Sequence, residues 1–110
     1  MAYDSELADR IHRIFGDWPA LRKKRMFGGM AYLINGNMAF GLLGDGLMVR
    51  CGPVRYAECL AREGVSEFDL TGRVMKGWVV VSGDVLETER ELRDWLNTGL
   101  QFAATLPPKT

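Results

Sequence analysis

Two dipeptides, Asn35-Gly36 and Asp45-Gly46, restrict where this chain can reverse its direction. Asn-Gly and Asp-Gly are preferred where both central residues of a two-residue hairpin turn need positive φ. The segments around them, at about 30–34, 37–43 and 47–51, are apolar and have the length of β-strands. The sequence therefore predicts two tight hairpins that join a three-stranded antiparallel meander.

Helical periodicity or helix-end signals mark three further segments, which lie at about 5–15, 54–63 and 88–106. The first carries its apolar residues along one side and is followed by a glycine. The second lies between a proline and a glycine, which suit the two ends of a helix. The third begins with Thr88 and Glu91, which form a capping box for the free amides of the first helical turn. We predict helices at all three places.

Two short apolar segments, at about 67–70 and 77–82, are predicted to be strands. The predicted order is then α-β-β-β-α-β-β-α. Strands this short, joined mostly by hairpins, exclude a doubly wound parallel sheet. They predict an α+β fold of two layers, in which a mainly antiparallel sheet carries the helices on one face. No repeat or linker divides the chain, so we predict a single domain over residues 1–110.

The second face of the predicted sheet needs a cover. In an antiparallel sheet with one face in water, every second residue is normally polar. The segment 37–43 is instead mostly apolar at both sets of alternating positions. Such a surface indicates a partner, most simply a second copy of the chain, and we predict a homodimer. The predicted dimer face consists of Met38, Phe40, Leu42 and Met48.

Because its charges are balanced, the chain as a whole does not attract polyanions. The chain has 14 basic and 14 acidic side chains, so only a local patch could attract nucleic acid, and weakly. The one dense basic cluster, with Phe27 close behind it, consists of Arg22, Lys23, Lys24 and Arg25. It is interpreted either as a solvated loop leading into the sheet or as a contact for an anion or partner. Lys76 is a further candidate contact, and we favour the loop.

Residues suited to catalysis or metal binding are sparse. His12, Cys51 and Cys59 could supply three zinc ligands, but they lack the close ligand pairs that zinc sites use. A nucleophile would find one histidine in the whole chain to serve as its base. The carboxylates around Glu89 are explained by the start of the last helix. We predict no catalytic residues, no metal and no cofactor, and we interpret Gly28-Gly29 as a structural β-bulge rather than a ligand contact.

The sequence also bears on the compartment. The N-terminus lacks the basic start and apolar run of a signal peptide, and no stretch approaches the roughly 20 apolar residues of a membrane span. Two cysteines in a chain of this length fit a reducing environment. We therefore predict a cytoplasmic protein without membrane contact.

Several motifs together resemble one protein family. They are the run from Arg25 to Met30 with Met26, Phe27, Gly28 and Gly29, the Asn35-Gly36 turn with Phe40, the segment from Met75 to Trp78 with Gly77, and Trp95. The pattern resembles the N-terminal domain of the TfoX family over nearly the whole chain. The resemblance implies an α+β domain of the predicted order that commonly self-associates. It implies no known enzymatic activity and no catalytic residues.

The best-described members of this family are bacterial regulators of competence for DNA uptake, in which a second, helical domain follows this one. The present chain ends at Thr110. The resemblance therefore implies the fold and a bacterial, cytoplasmic setting for a stand-alone domain, but not the competence function itself.

From the residues and the resemblance together, we predict a non-catalytic, regulatory protein-interaction module with an unidentified protein partner. A nucleic-acid-associated transcriptional regulator that uses the basic cluster is the first alternative. A small-ligand-binding protein or an enzyme of unknown type, with a pocket between helices and sheet, is the second.

Overall fold

The computed structural model describes residues 3–26, 28–70 and 72–109. The strands in this part of the chain are β1 (Leu21–Met26), β2 (Gly29–Ile34), β3 (Asn37–Leu43), β4 (Gly46–Arg50), β5 (Val65–Leu70) and β6 (Arg73–Val81). The helices are α1 (Ser5–Phe15), α2 (Tyr56–Leu60) and α3 (Glu89–Ala104), with a 3-10 turn at Gly83–Leu86. The strands form one antiparallel sheet in the order β1-β2-β3-β4-β6-β5. The predicted α+β class is confirmed, with one strand more than predicted.

The helices pack on one face of the sheet, which we call the inner face. The ring of Phe15 in α1 stacks on Phe40 of β3, with the ring centroids 6.3 Å apart. α3 lies so close to β3 that a β-carbon placed on Gly99 would collide with the carbonyl group of Ala39. Cys59 of α2 is fully buried in the same core, and α2 packs on β6 and β5. The predicted two-layer architecture is confirmed.

Both predicted hairpins are present, but one turn is displaced. Asn35-Gly36 forms the first turn as predicted, with φ of 54° and 79° at its two residues. In the second hairpin Leu43 pairs with Gly46, so the turn residues are Gly44-Asp45 rather than Asp45-Gly46. Gly44 has a φ of 59°, whereas the φ of Asp45 is not positive. A glycine at the first turn position is the usual solution when one residue needs positive φ.

The basic cluster lies in a strand, and its interpretation as a loop is wrong. β1 pairs with β2 along its whole length, from Leu21 opposite Ile34 to Met26 opposite Gly29. Because β1 is an edge strand with most of its side chains in water, its sequence carries no apolar alternation that would reveal it. Charged side chains are common on edge strands, where they discourage pairing with another sheet.

The β-bulge predicted at Gly28-Gly29 is also wrong. Met26 pairs with Gly29, so Gly28 belongs to a tight turn between β1 and β2, while Phe27 lies outside the described residues. Gly29 is required for a different reason. A β-carbon at this position would collide with the carbonyl oxygen of Leu42 on β3.

A β-bulge occurs in β3 instead. Ala39 is the extra residue, since its neighbours Met38 and Phe40 oppose two consecutive residues of β2. The bulge turns Met38 away from Phe40, onto the face of the sheet without helices. Phe40 and Leu42 are 0% exposed in the core on the inner face. They cannot belong to a dimer face, and this part of the prediction is wrong.

The ends of the helices follow their capping residues in α1 and α3. Asp4 accepts hydrogen bonds from two amides of the first turn of α1. The predicted cap of α3 is confirmed, because the Thr88 hydroxyl accepts from the Glu91 amide at 3.2 Å. α2 is shorter than the predicted segment 54–63, and the residue it buries is Cys59. None of the helices in the described part combines the length and apolar character needed to cross a membrane.

Candidate functional site

The face of the sheet opposite the helices, which we call the outer face, is apolar across its centre. A β-carbon on Gly41 would lie 2.7 Å from Met48 Cε and 3.1 Å from Met38 Cε, so both methionine side chains converge over this glycine. Leu33 lies opposite Met38 on β2, and Val80 lies opposite Met48 on β6. We call Leu33, Met38, Met48 and Val80 the outer-face cluster.

The outer-face cluster contains two of the four residues predicted for the dimer face. Met48 is 1% exposed, whereas Leu33, Met38 and Val80 are half-buried in the single chain. Leu33 and Val80 were not predicted. Val80 could have been found in the sequence, because alternation along a strand places the middle residue of a three-valine run opposite to its neighbours.

The four cations of the basic cluster are divided between the two faces of the sheet by strand alternation. Arg22 and Lys24 lie opposite outer-face positions of β2, with Arg22 across from Leu33. Lys23 points toward the helices and lines a small hollow beside Trp18 of the loop after α1. A partner on the outer face would therefore meet two of the four cations.

An open groove of about 600 Å³ borders the outer-face cluster at β1. Arg22, Lys23, Lys24 and Leu33 line it, and Lys109 adds a fourth cation. Lys109 is held there by its backbone amide, which donates to the Asn35 carbonyl at 2.7 Å. Within the described chain, neither Arg22 nor Lys24 has a carboxylate within 4.0 Å.

A second cationic site surrounds Trp78 on β6. Trp78 is half-buried and Lys76 is exposed, and both line a cavity of about 90 Å³ together with Arg50 and Phe102. Arg50 ends β4, and its guanidinium carbon lies 5.4 Å from the ring centroid of Trp78 and 5.6 Å from that of Phe102. Such cation–π contacts hold a guanidinium group in place.

The backbone beside Arg50 lets the ring of Phe102 come close to the guanidinium group. The amides of Cys51 and Gly52 both donate to the Gly77 carbonyl, at 2.9 and 3.0 Å. A β-carbon on Gly52 would collide with the ring of Phe102, so glycine at this position lets the ring reach the guanidinium. Burial lowers the pKa of Arg50, but an arginine stays charged at any pH at which proteins fold. Arg50 was not predicted from the sequence, because its aromatic neighbours are far away along the chain.

The three residues considered for zinc do not form a metal site. His12 is exposed, with Nε2 4.0 Å from Asp17 Oδ1 at the end of α1. Cys51 and Cys59 are buried free thiols. Burial, and to a smaller extent the neighbouring Cys59, raises the pKa of the Cys51 thiol to about 12, so it is unreactive at neutral pH. Across residues 3–26, 28–70 and 72–109, no group of three or more His, Cys, Asp or Glu side chains could hold a metal ion.

The fold and its surfaces define a small α+β domain with helices on the inner face and an apolar outer face between two cationic sites. The chain belongs to the TfoX N-terminal domain family, whose model matches residues 13–103. The match confirms the resemblance and includes both β1 and the surroundings of Arg50. It makes the chain a competence-regulator-like domain. No curated protein and no solved structure matches the chain.

Proposed function

We propose that this domain is a non-catalytic protein-interaction module of regulatory type that self-associates through its outer face. The observation that carries the proposal is the outer-face cluster, where apolar side chains lie at the centre of the sheet on the side without helices. Leu33, Met38 and Val80 stay partly exposed in the single chain, and apolar surface of this kind marks protein–protein contacts. Family membership supports the regulatory role, and the two buried free thiols support a reducing, cytoplasmic setting.

A second copy of the chain is the occupant that the surface favours. The chain has no net charge, so two copies do not repel each other over long range. A two-fold axis near Gly41 would set the partly exposed Met38 and Val80 of one copy against the outer face of the other. Such a contact is self-complementary because both surfaces are apolar, and methionine adapts its shape to the partner.

The edge of the sheet is a poorer route to self-association. If two copies paired through β1 in antiparallel fashion, the four cations of one strand would face the four cations of the other. Like charges directly opposite each other on paired strands are destabilising. Face-to-face packing of the outer faces avoids this arrangement.

A matched pair of valine substitutions tests the proposal. Val80→Glu places a carboxylate opposite Met48 at the β6 end of the outer-face cluster, whereas Val54→Glu adds the same charge at a position that is 94% exposed and off the sheet. An unpaired charge buried at an interface costs about 3–5 kcal/mol, so Val80→Glu should weaken the dimer by about 100-fold or more. Sedimentation equilibrium over a concentration series measures this constant.

Circular dichroism would confirm that both variants are folded before their assembly is compared. Val54→Glu should sediment like the unchanged chain. A monomer at high micromolar concentration in the unchanged chain would refute self-association. A folded Val80→Glu variant that dimerises as tightly as the unchanged chain would refute the assignment to the outer face.

A second candidate function is weak binding of nucleic acid in the groove beside β1. It is supported by the convergence of four cations on one groove, namely Arg22, Lys23, Lys24 and Lys109. Phosphate contacts from lysine and arginine supply most of the affinity in sequence-independent binding, and they weaken steeply as salt rises. A neutral domain with four such contacts would bind well only at low salt.

Exposed arginines outside the groove provide the control for this candidate. Arg22→Glu with Lys24→Glu reverses two cations of the groove, and Arg25→Glu with Arg73→Glu reverses the same charge at two exposed residues that do not line it. Fluorescence anisotropy with labelled DNA and RNA, over a series of salt concentrations, should show a larger loss for the first pair. The slope of log affinity against log salt should also fall by about 2 for that pair. Equal losses from both pairs would exclude the groove as the binding site.

A further inference from the structure

Arg50 is a half-buried cation without a counter-ion in the described chain. No carboxylate oxygen of residues 3–26, 28–70 or 72–109 lies within 4.0 Å of its guanidinium nitrogens. Its hydrogen bond within this part of the chain runs from Nη1 to the Met38 carbonyl, at the long distance of 3.5 Å. Arginine has five N–H donors, and arginines taken out of water are normally paired. Most of these donors therefore remain free for a ligand.

The neighbours of Arg50 restrict the side from which a ligand can approach and the size of the group that fits. The guanidinium carbon lies 5.4 and 5.6 Å from the ring centroids of Trp78 and Phe102, so a ligand has to approach from a side that these two rings do not cover. Lys76 lines the same cavity and adds a second positive charge. The cavity of about 90 Å³ is roughly the volume of three water molecules, which suits a single carboxylate group.

An exposed apolar surface adjoins this cavity. Val54 is 94% exposed, and it lines a groove of about 200 Å³ together with Gly52 and Phe102. Gly52 and Phe102 also line the cavity of Arg50, so the two depressions adjoin each other. Arginine and tryptophan beside apolar groups are the residue types that contribute most to protein–protein binding energy. A free small anion would leave Val54 in water, whereas a peptide would cover it.

We infer that Arg50 and Lys76 form a receptor for one carboxylate of an acidic peptide segment, in which a neighbouring apolar side chain covers Val54. A planar carboxylate can accept two parallel N–H groups from a guanidinium edge. The charge of the site matches this occupant, because two cations converge where the described chain places no carboxylate within ion-pair distance of Arg50. The proposed site goes beyond self-association and uses no side chain of the outer-face cluster.

NMR titration of the ¹⁵N-labelled protein tests this inference with defined probes. The first probe is an acetylated, amidated pentapeptide of sequence LADLA, and the second is LANLA, which replaces the carboxylate by an amide of the same shape. We expect LADLA to shift the amide signals of Gly52 and Gly77 and the indole signal of Trp78 in a saturable way. LANLA should bind about tenfold or more weakly, because a hydrogen bond to a charged group is lost. Sodium acetate and inorganic phosphate serve as small-anion probes.

Two conservative variants control for the charge alone. Arg50→Lys keeps a positive charge and much of the apolar stem but loses the planar fork, so LADLA should bind it about tenfold more weakly. Arg73→Lys makes the same change on an exposed residue at the other end of β6 and should leave LADLA binding unchanged. Equal affinity of LADLA for Arg50→Lys and the unchanged chain would overturn the role of the guanidinium.

The remaining outcomes are also decisive. If neither LADLA nor acetate shifts these signals, no carboxylate site exists. If phosphate or acetate binds as tightly as LADLA, the site recognises a free anion and the peptide assignment is wrong. The Val80→Gln variant separates this site from self-association without placing a carboxylate beside Arg50, since its monomer should bind LADLA as the unchanged chain does. Loss of LADLA binding in a folded Val80→Gln monomer would show that the peptide site and the outer-face cluster form one surface.

Discussion

Substitution of Gly99 by alanine tests how closely α3 is seated on the sheet. In an exposed helix interior, glycine to alanine stabilises a protein by about 1 kcal/mol through helix propensity. Here the added β-carbon would lie 3.0 Å from the Ala39 carbonyl carbon and closer still to its oxygen. A backbone carbonyl cannot rotate away as a flexible side chain can. The helix must therefore move away from β3.

The loss of unfolding free energy in Gly99→Ala can be estimated from this displacement. Carbon–oxygen contacts in proteins begin near 3.3 Å, so α3 has to retreat by roughly 1 Å. A gap of that size forfeits about a quarter to a half of each dispersion contact along the interface. Trp95, Leu96 and Ala103 on the same side of α3 are all 1% exposed or less, so their packing suffers together. Overpacking of this kind costs about 3 kcal/mol at its upper end, which leaves a net loss of about 2 kcal/mol after the gain in propensity.

Urea unfolding followed by circular dichroism measures this loss. Protein concentration must be held constant, because self-association makes apparent stability depend on it. Asn97→Ala provides the control, since Asn97 is exposed on the same helix and gains propensity without a clash, so stability should rise by a few tenths of a kcal/mol. A Gly99→Ala variant that is about 1 kcal/mol more stable than the unchanged chain would refute the close seating of α3.

Three further predictions concern stability. Thr88→Ala should cost about 1 kcal/mol of unfolding free energy, because the Glu91 amide loses its acceptor, and Thr88→Ser should restore most of it in the same urea assay. Gly36→Ala should cost about 1–3 kcal/mol, since its φ of 79° is strained for alanine and its β-carbon would lie 2.6 Å from the Lys109 carbonyl oxygen; a neutral result would contradict the turn geometry. The folded-state pKa of Cys51 is about 12, raised by burial from 9.0, so its contribution to stability is intact below pH 9 and is lost as pH rises toward 12. Cys51→Ala should flatten the fall in stability between pH 9 and 10, and an unchanged slope there would contradict the raised pKa.

The features that could be predicted from the sequence depend on interactions between residues close together along the chain. The Asn35-Gly36 turn and the Thr88 cap each need particular residues within a few positions, so their signals are complete in the sequence. β1 could not be recognised in the same way. Its existence depends on pairing with β2, and an edge strand whose side chains lie mostly in water gives no apolar alternation to detect.

The candidate sites depend more on long-range geometry. The outer face was anticipated from the apolar character of β3, but the bulge at Ala39 decides which residues form it. One extra residue exchanges the face of every side chain on one side of the bulge, and no local motif marked it. The site at Arg50 was not predicted, because Trp78 and Phe102 come from a different strand and from α3.

The two edges of the sheet bear on how far self-association can proceed. An edge-to-edge contact between β1 of one copy and β5 of the next would leave a free edge at each end, and would therefore build an open filament. β1 carries cations and β5 carries the carboxylates of Glu67 and Asp69, so charge alone would allow this pairing. The register of β5 against β6 is broken between those two acidic residues, and an irregular edge twists away from a straight partner. Packing through the outer face buries the same surface on both copies. Assembly by that route therefore stops at a dimer.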